Sequence, residues 1–173
     1  MTTRRNLLAL ALSGAACALP LATSPARAQA LTVGAIKINA APLVEQGWGG
    51  YVGLAKTELQ QALIETLGPA YRPGSGTTLV VALRNMWLAS YAGGGGGGKP
   101  SDGGASNDYL ESIATVVDRK GRELAHYSIL STELSSSGGA WYRPDIDQLR
   151  VRALARNNAL WIARYIKGGG SLF

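Results

Sequence analysis

Between residues 31 and 168 the spacing of apolar and polar positions changes several times, and each spacing predicts one element. In LTVGAIKIN (31–39), Ile36 and Ile38 fall on one face and Lys37 and Asn39 on the other, the pattern of a half-buried strand. After a glycine-rich connection, GYVGLAKTELQQALIETLGP places Leu59, Ala62, Leu63, Thr66 and Leu67 three and four apart and stops at Gly68-Pro69, which predicts an amphipathic helix. TTLVVALRNMWLASY (77–91) is a nearly continuous apolar run, and DYLESIATVVD (108–118) alternates more strictly, so both read as strands. DRKGRE turns the chain into LAHYSILSTEL (124–134), with Gly121 supplying the positive φ that such a turn needs.

The last element is PDIDQLRVRALARNNALWIARYIKGGG. Pro144 suits a first helical position, Asp145 and Asp147 sit at the positive end of the helix dipole, and Arg164 and Lys167 near the negative end. Ile146, Leu149, Ala153, Leu160 and Trp161 form the expected buried stripe, leaving Arg150, Arg152 and Arg156 in water. The order is βαβββα, so the fold class is α+β: a four-stranded mixed sheet with two helices on one face, in a single domain over residues 31–173.

Two strands flank the glycine tract SYAGGGGGGKPSDGGASNDY (90–109). A phosphate loop would run from strand to helix and end GK[ST], whereas this one reads GKP, and proline removes a backbone donor where one is needed. A domain linker is excluded because a lone strand on either side could not bury its face. The tract is expected to be a long flexible hairpin loop over 92–107.

The N-terminus changes the picture of composition. Residues 1–30 run from Arg4 and Arg5 through an apolar stretch to small residues, the order of a secretory signal peptide, with cleavage expected before Gln29 or Leu31. TTRRNLL resembles a twin-arginine export signal, and an ordinary secretory route stays equally open. Cys17 follows Gly14-Ala15-Ala16, where a lipoprotein signal usually has Leu three residues before the cysteine, so the expected product is soluble periplasmic protein, with outer-membrane association if Cys17 is acylated. This segment holds three of the 17 basic residues and none of the 11 acidic ones, so the remainder carries 14 minus 11, a net +3. That surplus, without a basic-aromatic stripe, does not predict nucleic-acid binding. No later apolar stretch approaches the roughly 18 residues of a membrane span.

Beyond residue 30 the chain has one histidine, His126, and no cysteine, which excludes thiol catalysis and His/Cys metal clusters. Ser75 in PGSGT lacks the strand-to-helix GxSxG elbow. The acidic pairs at Asp145/Asp147 and Asp118/Glu123 are explained by a helix start and a turn, and Glu58 and Glu65 by solvated helix positions. No catalytic residue, cofactor or metal is expected. A periplasmic hydrolase using His126 is the alternative. Trp141, Tyr142 and Arg143 either lid the core or form a contact site, since aromatic-plus-Arg clusters are favoured at interfaces.

Across residues 31–167, the Gly-rich approach to the first helix, the strand-turn-strand VVDRKGREL and the Ala/Arg-rich final helix ending ALWIARYIKG resemble small α+β modules of Gram-negative envelope proteins. These include auxiliary lipoproteins of ABC lipid transporters and curli-secretion-related domains. The resemblance implies a non-enzymatic accessory role in envelope assembly, secretion or transport.

Helices on one side would leave the other side of the sheet open. Strand alternation assigns Val80, Met86, Leu88, His126 and Leu130 to it, with Arg84, His126 and Ser128 as its polar exceptions. So apolar a face predicts a partner: an envelope protein, a second copy, or a lipid acyl chain.

Overall fold

A computed structural model of the chain describes residues 31–89, 107–140 and 142–168. The expected signal peptide, the glycine tract at 90–106 and Trp141 lie outside the described residues. The elements are β1 (Ala35–Asn39), α1 (Ala41–Glu45), α2 (Gly49–Leu67), β2 (Thr78–Trp87), β3 (Asn107–Val117), β4 (Glu123–Leu134) and α3 (Ile146–Ile166). They form a four-stranded sheet in the order β1-β2-β3-β4, with β1 parallel to β2 and the other pairs antiparallel. The expected α+β order is therefore present, with α1 as an extra turn of helix in the connection after β1.

The local reasons are legible in the residues. The sheet strand begins at Ala35, not at Leu31, because Val33 makes an isolated bridge to Tyr71. A Cβ at Gly34 would lie 2.8 Å from Ser75 Oγ and 2.9 Å from Gly76 N, so the chain passes its neighbour here only as glycine. At the β3–β4 turn Gly121 has φ 79°, which an L side chain rarely adopts. Asp118 Oδ1 accepts the N–H groups of Lys120 and Arg122 at 2.7 and 2.9 Å, and Arg122 Nε donates to Oδ2 at 2.8 Å. The bonds from Arg122, its backbone N–H foremost, hold the Asp118 carboxyl below its ordinary range.

The helices cover one face of the sheet. Leu59, Leu63 and Leu67 of α2 and Leu154, Ile162 and Ile166 of α3 meet Leu79, Val81 and Leu83 of β2 and Leu110, Ala114 and Val116 of β3 in one core. Burying each leucine fully contributes about 1.5–3 kcal/mol before entropy. Ile36 and Ile38 pack against this core from β1, as their alternation predicts.

Two expectations are corrected. Met86 is 2% exposed and belongs to the core, and Leu88 packs partly buried against it. The cause is a bulge: Leu83 pairs with Ser112 and Asn85 with Glu111, so Arg84 is an extra residue and every later side chain in β2 changes face. Gln46 Nε2 donates to the Arg84 carbonyl at 2.8 Å, satisfying the acceptor that the bulge displaces.

The second correction is the rotation of α3. Its buried face carries Ile146, Arg150, Val151, Leu154, Ala155, Asn158, Ala159, Ile162 and Ile166, whereas Leu160 and Trp161 are exposed and Leu149 and Ala153 half-buried. Buried polar groups pin this orientation. Asn158 accepts from Ser112 Oγ at 2.8 Å on β3 and donates to Ser131 Oγ at 2.9 Å on β4, with all three residues buried. Pro144 precedes the helix, whose N-cap is Asp145, so it is not the first helical residue.

Candidate functional site

Arg150 is the largest buried polar side chain among the described residues, 2% exposed, and meets Asp108, which is fully buried. Arg150 Nε donates to Asp108 Oδ2 at 2.6 Å, and its second terminal nitrogen donates to Asp108 Oδ1 and, at 2.7 Å, to the Ala89 carbonyl. The Ala89 N–H in turn donates to Asp108 Oδ1 at 2.9 Å, and Asp147 accepts from the remaining guanidinium nitrogen at 3.0 Å. Ala89 and Asp108 stand at the two ends of the 90–106 connection, so one guanidinium clamps the mouth of that hairpin to α3. Gly138 is required beside it, because a Cβ there would lie 2.9 Å from Arg150 Cγ. No periodicity signals this cluster. Arg150 reads as a solvated helix position until the fold places Asp108 opposite.

On the uncovered face, residues of adjacent strands line up in rows: Lys37, Val80, Thr115 and His126; Ala82, Ile113 and Ser128; Asn85, Glu111 and Leu130; Trp87, Tyr109 and Thr132. Trp87 and Tyr109 stack with ring centroids 6.4 Å apart. Trp87, Leu130 and Leu134 are 53%, 62% and 53% exposed, and no described element packs over them. Polar residues are more numerous here than the three expected exceptions, since Lys37, Asn85, Glu111, Thr115 and Thr132 share the face.

His126 belongs to this face. Its Nδ1 lies 3.4 Å from Thr115 Oγ1 and 3.8 Å from Glu123, whereas Ser75 hydrogen-bonds Thr77 in the loop before β2. Among the described residues no three His, Cys, Asp or Glu side chains are grouped to hold a metal ion. No helix among them is long and apolar enough to cross a membrane.

Of the predicted aromatic-plus-Arg cluster before α3, Tyr142 and Arg143 are among the described residues and Trp141 is not. Tyr142 is exposed, but Arg143 is engaged by Asp145, donating from Nε and a terminal nitrogen at 2.9 Å each. The bonds from Arg143 hold the Asp145 carboxyl below its usual range. Met86, buried, and Leu88, partly buried against the core, do not share the uncovered sheet face with His126.

A groove of about 810 Å³ runs along the outer side of α3. Leu149, Ala153, Leu160 and Trp161 supply its apolar wall, Arg152, Arg156 and Arg164 its cations, and Glu133, Ser137 and Gly138 its far rim. The apolar residues are those that the helical periodicity assigned to the core. Glu58 of α2, expected to be solvated, reaches Arg152 at 3.1 Å and Arg156 at 3.8 Å, so one carboxylate serves two guanidinium groups.

No protein-family model and no curated protein matches the chain. Solved structures do resemble it. A PelC dodecamer from Paraburkholderia phytofirmans is 12% identical, over 79% of this chain and 88% of that chain, with a TM-score of 0.44. A Xanthomonas campestris protein of family DUF330 is 13% identical, over 84% and 90%, with a TM-score of 0.48. A Caulobacter crescentus protein provisionally described as a lipoprotein is 22% identical, over 76% and 84%, with a TM-score of 0.42.

Proposed function

We propose that the chain is an exported, non-enzymatic accessory protein of the bacterial cell envelope that works by association through the uncovered face of its sheet. The observation that carries this reading is the exposure of Trp87, Leu130 and Leu134 on a face over which no described element packs. Large apolar side chains exposed together on a sheet face mark a contact surface. Self-association is the simplest form, since one sheet face can serve both copies.

Light scattering of the processed protein tests it. Trp87→Ser with Leu130→Asp should leave the circular dichroism native and convert an oligomer, or a complex with an envelope protein, to free monomer. A monomer at every concentration, together with no cross-link to any envelope protein from positions 87 and 130, would overturn the reading. Export is tested separately: mass spectrometry should find Gln29 or Leu31 at the N-terminus, and an acylated Cys17 would make the protein anchored instead. His126→Ala should leave the envelope phenotype intact, whereas its loss with association unchanged would favour a hydrolase.

A further inference from the structure

The groove along α3 is separate from the sheet face and has a chemistry of its own. Leu149, Ala153, Leu160 and Trp161 lie four, seven and one residues apart, which brings them to one side of the helix. An apolar stripe on an outer helix face has no part in holding the core. Beside it, Arg152, Arg156 and Arg164 are spaced by four and eight and form a parallel row of cations. Glu133 is the one acid among the lining residues, and its carboxylate already accepts from Asn157 Nδ2 at 2.6 Å. Glu58 of α2 is ion-paired with Arg152 at 3.1 Å and with Arg156 at 3.8 Å, so one carboxylate is shared by two of the three cations, and Arg152 Nε makes no hydrogen bond of good geometry. The Arg164 guanidinium sits 5.4 Å over the Trp161 ring, and no carboxylate among the described residues pairs with it.

We propose that this groove binds one anionic phospholipid, its acyl chain along Leu149, Leu160 and Trp161 and its phosphate between Arg156 and Arg164. The charge is complementary, because guanidinium groups match phosphate oxygens by paired N–H donors. The size suits a small amphiphile. A volume near 810 Å³ falls within the range of small-ligand sites. An inorganic anion would use the arginines and leave the apolar wall in water. An amphiphile uses both, as basic helices with Trp and Leu on one side do at a bilayer surface.

The test is titration calorimetry of the full exported protein with dihexanoyl-phosphatidylglycerol below its micelle concentration. Dihexanoyl-phosphatidylcholine and inorganic phosphate serve as comparison titrants. Phosphatidylglycerol should bind, and the other two should bind at least about tenfold more weakly, a difference of about 1.4 kcal/mol. Arg156→Gln with Arg164→Gln, both at exposed positions, should weaken phosphatidylglycerol by a similar factor. Leu160→Asp, at a side chain 59% exposed, attacks the wall independently should the arginine variant not fold. Trp87→Ser with Leu130→Asp should not alter the titration, which separates this site from the sheet face. Equal binding of phosphatidylcholine would refute the role of the arginines, and equal binding of phosphate the role of the wall. No binding of phosphatidylglycerol would overturn the proposal.

Discussion

Replacing Arg150 with Met removes one guanidinium and strands several partners at once. Asp108 is fully buried and loses both bonds from the arginine, and the Ala89 carbonyl loses its donor. A buried ion pair broken from one side costs about 3–5 kcal/mol, because the surviving charge is left unpaired where water cannot reach it. Against a domain stability on the order of 5–15 kcal/mol, that is a large fraction. Urea unfolding followed by far-ultraviolet circular dichroism should show the midpoint falling with an unchanged slope. The double variant Arg150→Met with Asp108→Asn separates the two sources of the loss. The asparagine carbonyl still accepts the Ala89 N–H, and the stranded charge is gone, so more than half of the loss should be recovered. A loss below about 1 kcal/mol in the single variant would refute the clamp. A double variant no more stable than the single one would place the loss in packing, not in charge.

Other changes test the remaining supports. Asn158→Leu should cost about 1–3 kcal/mol by leaving the Ser112 and Ser131 hydroxyls without their shared partner, measured in the same urea series. Gly121→Ala should cost about 1–2 kcal/mol, because φ 79° forces a side chain into the left-handed region. Asp118 and Asp145 have carboxyls held below the ordinary range, so the unfolded chain binds more protons than the folded one as acid is added. Their contribution is complete above the unfolded carboxylate pKa of about 3.9 and is lost as pH falls through the lower folded values. Asp118→Asn should flatten the acid limb of a thermal-melt series, and an unchanged limb would contradict this sign.

Local chemistry was enough to read most of the fold from the chain. Strand alternation around Ile36 and Ile38, the three- and four-residue spacing of α2 and the Asp118-to-Arg122 turn each depend on neighbours within a few residues, so their signals survive without a tertiary context. The surfaces were less legible. His126, Val80 and Leu130 lie on the uncovered face as alternation requires, but Met86 and Leu88 left it because the bulge at Arg84 is stabilised by Gln46, 38 residues away. The stripe of Leu149, Ala153, Leu160 and Trp161 also follows the turns of the helix, so α3 carries apolar residues on two sides, and the polar Arg150 and Asn158 interrupt the side that is buried. The buried side joins Val151, Leu154, Ile162 and Ile166 to the core and takes Arg150 and Asn158 with them. Each is polar and would face water in an isolated helix, yet Arg150 finds Asp108 at a separation of 42 residues, and Asn158 finds Ser112 and Ser131 at 46 and 27. A buried polar group is tolerable only when hydrogen-bonded, and those partners exist only once the strands are assembled. Sequence therefore determined the four strands and the two long helices, while the short α1 and the choice of which face of α3 became core and which became a groove came with the tertiary structure.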